Sequence, residues 1–281
     1  ILVSSMSDHG YPFRIDEKLK IVWLEKNPKQ LGSILSEGIS QFNKGFSGKS
    51  IAIDTSDFFY GERKIGIGSS AAVSAALTKA LNKLLDLRLT SKAMIDYSRQ
   101  IHNRAQDSLG SGFDVIASFL KERALSCQLY GHESYKHERI QLPEEIKIFA
   151  VVNNACSQTS QMINRYEAAK KKYKDYFSNH APKMKSELDR LHDSILRNDS
   201  SSMMNSLTRY NELLVGMDRK FSIGVFDHHH DLISLAKDHG IFYKPSGSGG
   251  GDLGLLISPD KIRLDKICKD LTSKGLYLFE I

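Results

Sequence analysis

Apolar positions in this chain change their spacing along its length, and the change marks out elements. Ile1–Val3, Leu19–Leu24 and Ile51–Ile53 are short apolar runs and predict strands. Between them the spacing predicts a helix from about Asn27 to Phe42. From Val73 the apolar residues recur through Leu77, Ala80 and Leu84 at three- and four-residue intervals, the stripe of a core-facing helix within 64–87. A further helix is predicted from about Ser91 to Ala105.

At Leu142-Pro143 the pattern resets. Ile146–Val152 reads as a compact strand, followed by helices near 158–178, 182–197, 201–215 and 229–239. A glycine-rich loop at 244–252 leads to a strand over Leu253–Ile257, a helix over 260–273 and a last strand, Leu276–Ile281. Strands and helices in two blocks predict an α+β chain of two domains, 1–143 and 144–281, sharing a cleft.

Composition narrows the class. With 41% hydrophobic residues among 281, the chain has enough apolar matter for packed cores, and no segment approaches the ~18 apolar residues of a membrane span. No signal peptide is expected from the opening residues. It begins Ile1-Leu2-Val3 without a methionine, which leaves room for upstream sequence. Cys127, Cys156 and Cys268 are odd in number and lack metal-ligand spacing, so buried thiols of a reducing cytoplasm are expected. A net charge of +6 and a pI near 9.0 suit an anionic substrate. Acids are interspersed with the bases and no arginine-rich arm appears, which argues against nucleic acid. The densest basic run, Lys170–Lys174, reads as a solvated helix face.

The chemistry concentrates in three glycine motifs. In the first, Gly66, Ile67, Gly68, Ser69, Ser70 and Ala71 open directly onto a helix, whose first N–H groups and positive dipole end can hold phosphate. This is not a Walker loop, because Ser69 follows Gly68 where lysine is needed. It fits G-x-G-x-x-A with Asp86 at a dinucleotide-like distance, but Asp86 falls on the helical pattern instead of ending a second strand, so that reading is rejected. The second motif, Gly110-Ser111-Gly112-Phe113-Asp114-Val115, can aim a carboxylate, although Asp114 could simply cap the helix that follows. The third is Ser246-Gly247-Ser248-Gly249-Gly250-Gly251-Asp252. Asp227–Asp231, with three consecutive histidines, reads as a polar connection, since contiguous side chains point in different directions.

In order and spacing the three motifs resemble the GHMP small-molecule kinases, and within them phosphomevalonate kinase. His102-Asn103-Arg104-Ala105-Gln106 before the second motif is similar to that family's His-x-x-Ala-Gln. Lys244-Pro245, Asp54-Thr55-Ser56 and the ending Gly251-Asp252 look like it as well. The resemblance implies an N-terminal domain like that of ribosomal protein S5, a ferredoxin-like C-terminal domain and an active site in the cleft between them.

It further implies ATP and Mg²⁺ as cofactors. ATP would be held by residues 66–71, with Ser70 as a magnesium ligand and Asp114 as the catalytic residue. His102, Ser111, Gly112, Ser246, Gly247, Ser248, Gly249, Gly250 and Asp252 would bind the acceptor. The implied product is a diphosphate made from 5-phosphomevalonate or a close relative, in the mevalonate route to isoprenoids. Alternatives are an alcohol acceptor such as mevalonate or a sugar, and a non-catalytic binder of nucleotide or metabolite. A cytoplasmic protein with a small phosphorylated acid as partner is implied, with a homodimer among the expectations and neither nucleic acid nor membrane. Three departures stand out. The superfamily's N-terminal lysine followed by Gly-Glu is not found, Asp107-Ser108 replaces the usual Gly-Lys, and Tyr-x-Arg is blurred into Tyr135–Arg139.

Overall fold

The computed structural model describes residues 2–4, 11–18, 20–42, 51–61, 63–106, 110–121, 124–130, 134–153, 159–251 and 253–281. It divides into two compact units, Ile1–Glu138 and Arg139–Ile281.

The first unit is built on three helices: α1 (Gln30–Gln41), α2 (Ser69–Leu84) and α3 (Ser91–Ala105). Ile34, Leu35 and Ile39 of α1 meet Val73, Leu77 and Leu81 of α2 and Ile101 of α3 in one core. These are the three- and four-residue spacings read from the sequence. The α1–α2 approach is close because Gly38 has no side chain: a Cβ there would lie 2.7 Å from Leu77 Cδ2. α4 (Phe113–Leu120) covers the other side of α2, with Ile116 and Phe119 packed on Ala75 and Ile95.

The strands of this unit are short and paired in twos. β1 (Leu2–Ser4) runs parallel to β4 (Ile51–Ile53), and β2 (Phe13–Ile15) forms a hairpin with β3 (Ile21–Trp23). β5 (Phe59–Tyr60) pairs with β6 (Arg63–Lys64), and β7 (Leu125–Tyr130) with β8 (Ser134–Arg139). β2, β5, β6, β7 and β8 are absent from the sequence reading. In β2, β7 and β8 the alternation is diluted by charged and polar residues, as in Ser134-Tyr-Lys-His-Glu-Arg139.

The second unit centres on a four-stranded antiparallel sheet ordered β10 (Phe242–Pro245), β11 (Leu253–Ser258), β9 (Lys147–Val152), β12 (Tyr277–Glu280). Taken in chain order these strands lie 2-3-1-4, with helices between the first and second and between the third and fourth, which is the ferredoxin-like arrangement. Both faces are covered, which is why β9 and β11 read as continuous apolar runs. Phe149, Val151 and Leu256 point to α8 (His230–Asp238) and α9 (Lys261–Ser273). Ile148, Leu255 and Ile257 point the other way, to α6 (Lys174–Leu196) and α7 (Ser200–Phe221).

Helix boundaries depart from the sequence reading in this unit. The break expected ahead of Pro182 falls instead at Tyr173, between α5 (Thr159–Lys172) and α6, and Pro182 sits inside α6. Packing along α7 outweighs the ~3 kcal/mol that an interior proline costs a helix. α7 runs to Phe221, beyond the expected end at 215, with Met217 buried in its added turns. Among the described residues, no helix is long and apolar enough to cross a membrane.

Candidate active site

Two helices of the first unit begin in the same unusual way. α2 starts at Gly68, with φ +81°, and α4 at Gly112, with φ +71°, and neither N-terminus has a side-chain cap. By contrast α3, α7 and α9 are capped by Thr90, Asp199 and Asp260. The left-handed glycines turn the chain abruptly into each helix. At α2 this leaves first-turn N–H groups available to an outside acceptor, whereas at α4 Ser111 Oγ accepts the Phe113 N–H at 3.5 Å and Asp114 Oδ1 that of Val115.

The two starts adjoin. A Cβ on Gly68 would lie 3.8 Å from Asp114 Cβ, in ordinary contact. Gly112 must be glycine on two grounds: its φ, and Arg99 Nε standing 2.7 Å from where its Cβ would be. Arg99 is buried, donates from Nη2 to Ser111 O at 3.4 Å and lies over the Tyr135 ring. It holds the second glycine turn from below.

α3 delivers the remaining polar groups. Its buried face follows Ile95, Ser98 and Ile101, so the helical period carries His102 inward, and Gln106 one turn later lies on the same side. His102 Nε2 is 3.1 Å from Ser70 Oγ and 3.0 Å from Gln106 Nε2, and Gln106 Nε2 donates to Ser70 Oγ at 2.8 Å. Burial pulls the His102 pKa below its ordinary value, against the opposing pull of the Asp114 charge and of Asn103. The ring is therefore neutral at pH 7, and the 3.9 Å approach of Nε2 to Asp114 Oδ2 is not an ion pair there. With Nε2 accepting, the ring proton is assigned to Nδ1, and Ser70 donates its hydroxyl hydrogen while its oxygen keeps lone-pair capacity. Asp114 divides its oxygens: Oδ1 accepts the Val115 N–H at 2.9 Å, while Oδ2 faces His102 from a half-exposed carboxylate.

The third glycine loop belongs to the second unit. Ser246 N–H donates to Leu253 O at 2.9 Å, Gly249 N–H to Ser246 O at 3.1 Å and Gly250 N–H to Val225 O at 2.9 Å. A Cβ on Gly249 would stand 2.2 Å from Val225 O, so loop and turn are in backbone-to-backbone contact. Just before the loop, Lys244 Nζ donates to Pro245 O at 2.6 Å, and burial lowers its pKa.

Residues 37–122 match the family model of the GHMP kinases N terminal domain. No curated protein sequence matches the chain. Among solved structures, the Lin0012 protein from Listeria innocua superposes with a TM-score of 0.82 at 16% identity, over 99% of this chain and 84% of that one. Streptococcus pneumoniae phosphomevalonate kinase in complex with phosphomevalonate and AMPPNP gives 0.73 at 17% identity, over 100% and 86%. L. major mevalonate kinase in complex with R-mevalonate gives 0.68 at 15%, over 90% and 76%. The fold is that of the GHMP kinases.

On this GHMP kinase fold, Gly66, Ile67, Gly68, Ser69, Ser70, Ala71, His102, Ser111, Gly112 and Asp114 gather in the first unit, and Ser246, Gly247, Ser248, Gly249 and Gly250 form the loop of the second. Asp252, Cys156 and the Asp107-Ser108 pair lie outside the described residues. Arg99 is the polar residue that motif reading passed over, and Gln106, quoted there as the end of His-x-x-Ala-Gln, was given no role. Both sit on the His102 face of α3, at i+4 and i−3 from it, a relation visible in the sequence once the helix is drawn. Asp86 lies in the turn that ends α2, with φ +49°, and not on the helix as expected. No strand begins there, so the dinucleotide reading stays rejected. In the Asp227–Asp231 run, His229 is buried and its Nδ1 is 2.7 Å from Tyr243 Oη. Among the described residues no cluster of metal-ligating side chains occurs. Cys127 and Cys268 are free and half-buried, less enclosed than expected, and burial raises both thiol pKa values, Cys268 to about 11.

Proposed function

We propose that this chain is an ATP-dependent small-molecule kinase that phosphorylates 5-phosphomevalonate or a close relative, giving a diphosphate. The observation that carries the reading is the uncapped, glycine-started N-terminus of α2 beside Ser70, His102 and Asp114, with the glycine turn into α4 adjoining it. Phosphoryl transfer asks a protein mainly to position reactants and to offset charge, and such an N-terminus offers donors for phosphate oxygens. The first-turn amides of α2 hold the nucleotide phosphates. The donor set fits a hard cation: Ser70 Oγ retains lone-pair capacity, and Asp114 is a half-exposed carboxylate that does not already neutralise a base. Ser70 and Asp114 would hold Mg²⁺, whose charge offsets that of the β- and γ-phosphates when bound.

Acceptor chemistry sets the role of Asp114. A phosphate monoester, with a second pKa near ~6, is already mostly dianionic at neutral pH and needs little help losing a proton. Asp114 then orients the acceptor and the cation more than it removes a proton. Support for the phosphorylated acceptor comes from the motifs around His102, Asp114 and Lys244. An alcohol acceptor is the second reading, favoured by the replacement of the usual Gly-Lys with Asp107-Ser108, which removes a phosphate-binding cation.

The test is ADP release from Mg·ATP with phosphomevalonate and mevalonate in parallel. Turnover with the phosphorylated acid alone is expected. Turnover with mevalonate alone would make Asp114 a general base and overturn the acceptor assignment. Nucleotide binding without turnover on either would favour a non-catalytic binder.

A further inference from the structure

We infer that Asp218 is a positioning residue for the third glycine loop, acting through the backbone turn 224–226. Its place is otherwise hard to explain. It is a buried carboxylate in the last turn of α7, at the negative end of a helix dipole. Among the described residues no basic side chain pairs with it. Its charge is met by amides instead. Oδ1 accepts the N–H of Gly224 at 2.7 Å and of Val225 at 3.0 Å, and Oδ2 accepts that of Phe226 at 3.1 Å. Three successive N–H groups on one carboxylate fix the orientation of three peptide planes.

The consequence reaches the loop in one step. Val225, whose N–H is tied to Asp218, offers its carbonyl to Gly250 N–H at 2.9 Å, and Gly249 packs on the same carbonyl. Arg165 supports the preceding residue, donating from Nη1 to Ile223 O at 3.4 Å, and Gly224 with φ +96° makes the bend that presents the amides. Asp218 therefore holds the turn and the turn holds the loop. On the reading that this loop binds the acceptor, on which the kinetic half of the inference rests, Asp218 governs acceptor affinity without touching acceptor.

The test is Asp218→Asn in the full chain, read by amide hydrogen exchange and by kinetics. Asparagine keeps the shape but turns an NH₂ toward one of the amides. Exchange at Gly250 is expected to accelerate by about tenfold or more, while Ala150 and Leu256 in the sheet keep their protection. The KM for phosphomevalonate is expected to rise about tenfold, with that for ATP within about twofold. Asp260→Asn, which removes a carboxylate cap from α9 in the same unit, should leave Gly250 unchanged. Should Asp218→Asn fail to fold, Gly224→Ala perturbs the turn from within and should give the same exchange pattern. Unchanged exchange at Gly250, or equal acceleration throughout the sheet, would overturn the inference. Exchange does not depend on turnover, so a wild type inactive with phosphomevalonate would count against the acceptor reading alone.

Discussion

Two alanine substitutions two residues apart in sequence, Gly247→Ala and Gly249→Ala, should differ sharply in stability. Both glycines have positive φ, +61° and +82°, so each alanine pays for a left-handed conformation, about 1–2 kcal/mol. Their surroundings differ. Nothing lies within 4 Å of a Cβ on Gly247, whereas one on Gly249 would stand 2.2 Å from Val225 O and 2.9 Å from Val225 C and Cα. Those are backbone atoms, and the Val225 N–H is bound to Asp218, so the turn has little freedom to retreat. Forcing an extra methyl into a packed site adds about 1–3 kcal/mol. The expected losses are about 1–2 kcal/mol for Gly247→Ala and about 2–5 kcal/mol for Gly249→Ala. At roughly 2–4 °C per kcal/mol, thermal midpoints followed by calorimetry or circular dichroism should separate the two variants by several degrees. Equal shifts would refute the reasoning, because they would mean that the Val225 carbonyl yields freely.

Three further outcomes follow from the site and its surroundings. Asp114→Asn should lower kcat with phosphomevalonate by less than about 100-fold, the lower end of what a lost general base costs; a larger fall in steady-state ADP release would restore the proton-abstraction role. Gly112→Ala should drive a methyl against Arg99, 2.7 Å away at Nε, and lower kcat by about tenfold or more; unchanged kinetics would show that Arg99 does not set the α4 start. Burial, helped by Lys183, lowers the pKa of His180, so the folded protein binds fewer protons than the unfolded chain below pH ~6.5. Stability should fall as pH drops through that range, by at most about 1.4 kcal/mol per pH unit, and His180→Gln should flatten the decline in urea titrations at pH 7 and pH 5.

How far the fold was legible depended on how much of each element is buried. Helices α2 and α3 were readable because their apolar stripes face one shared core, and β9 and β11 because both faces of their sheet are covered. β7 and β8 escaped notice because Lys136, His137 and Glu138 break the alternation. The α5–α6 boundary was misplaced for a different reason: Pro182 is a strong local breaker, and only contact with α7 overrides it. Within the candidate site, glycines and aspartate announce themselves in sequence, since few residues substitute for them in turns. Arg99 does not, and Gln106 shows only as the end of the His-x-x-Ala-Gln motif, without a role. Their role follows from the pitch of α3 and from what it rests against, which no run of adjacent letters displays. Asp218 was still further from view, since its partners are backbone amides and carry no residue signature.

The glycine starts of α2 and α4 also bear on any attempt to make this protein more heat-resistant. A capping serine, threonine or aspartate contributes about 1 kcal/mol to an ordinary helix, so a stabilisation scheme working from local rules would choose these ends first. Here such a side chain would bring its own oxygen to the N–H groups on which the proposed chemistry relies, and an introduced carboxylate at position 68 would imitate bound phosphate. The resulting variant would melt no later, because a side chain at φ +81° costs about 1–2 kcal/mol against the few tenths that a cap adds over glycine, and it would act as its own competitive inhibitor. Glycine at these two starts thus marks positions where a local stabilisation rule fails, because the turn admits no side chain without strain.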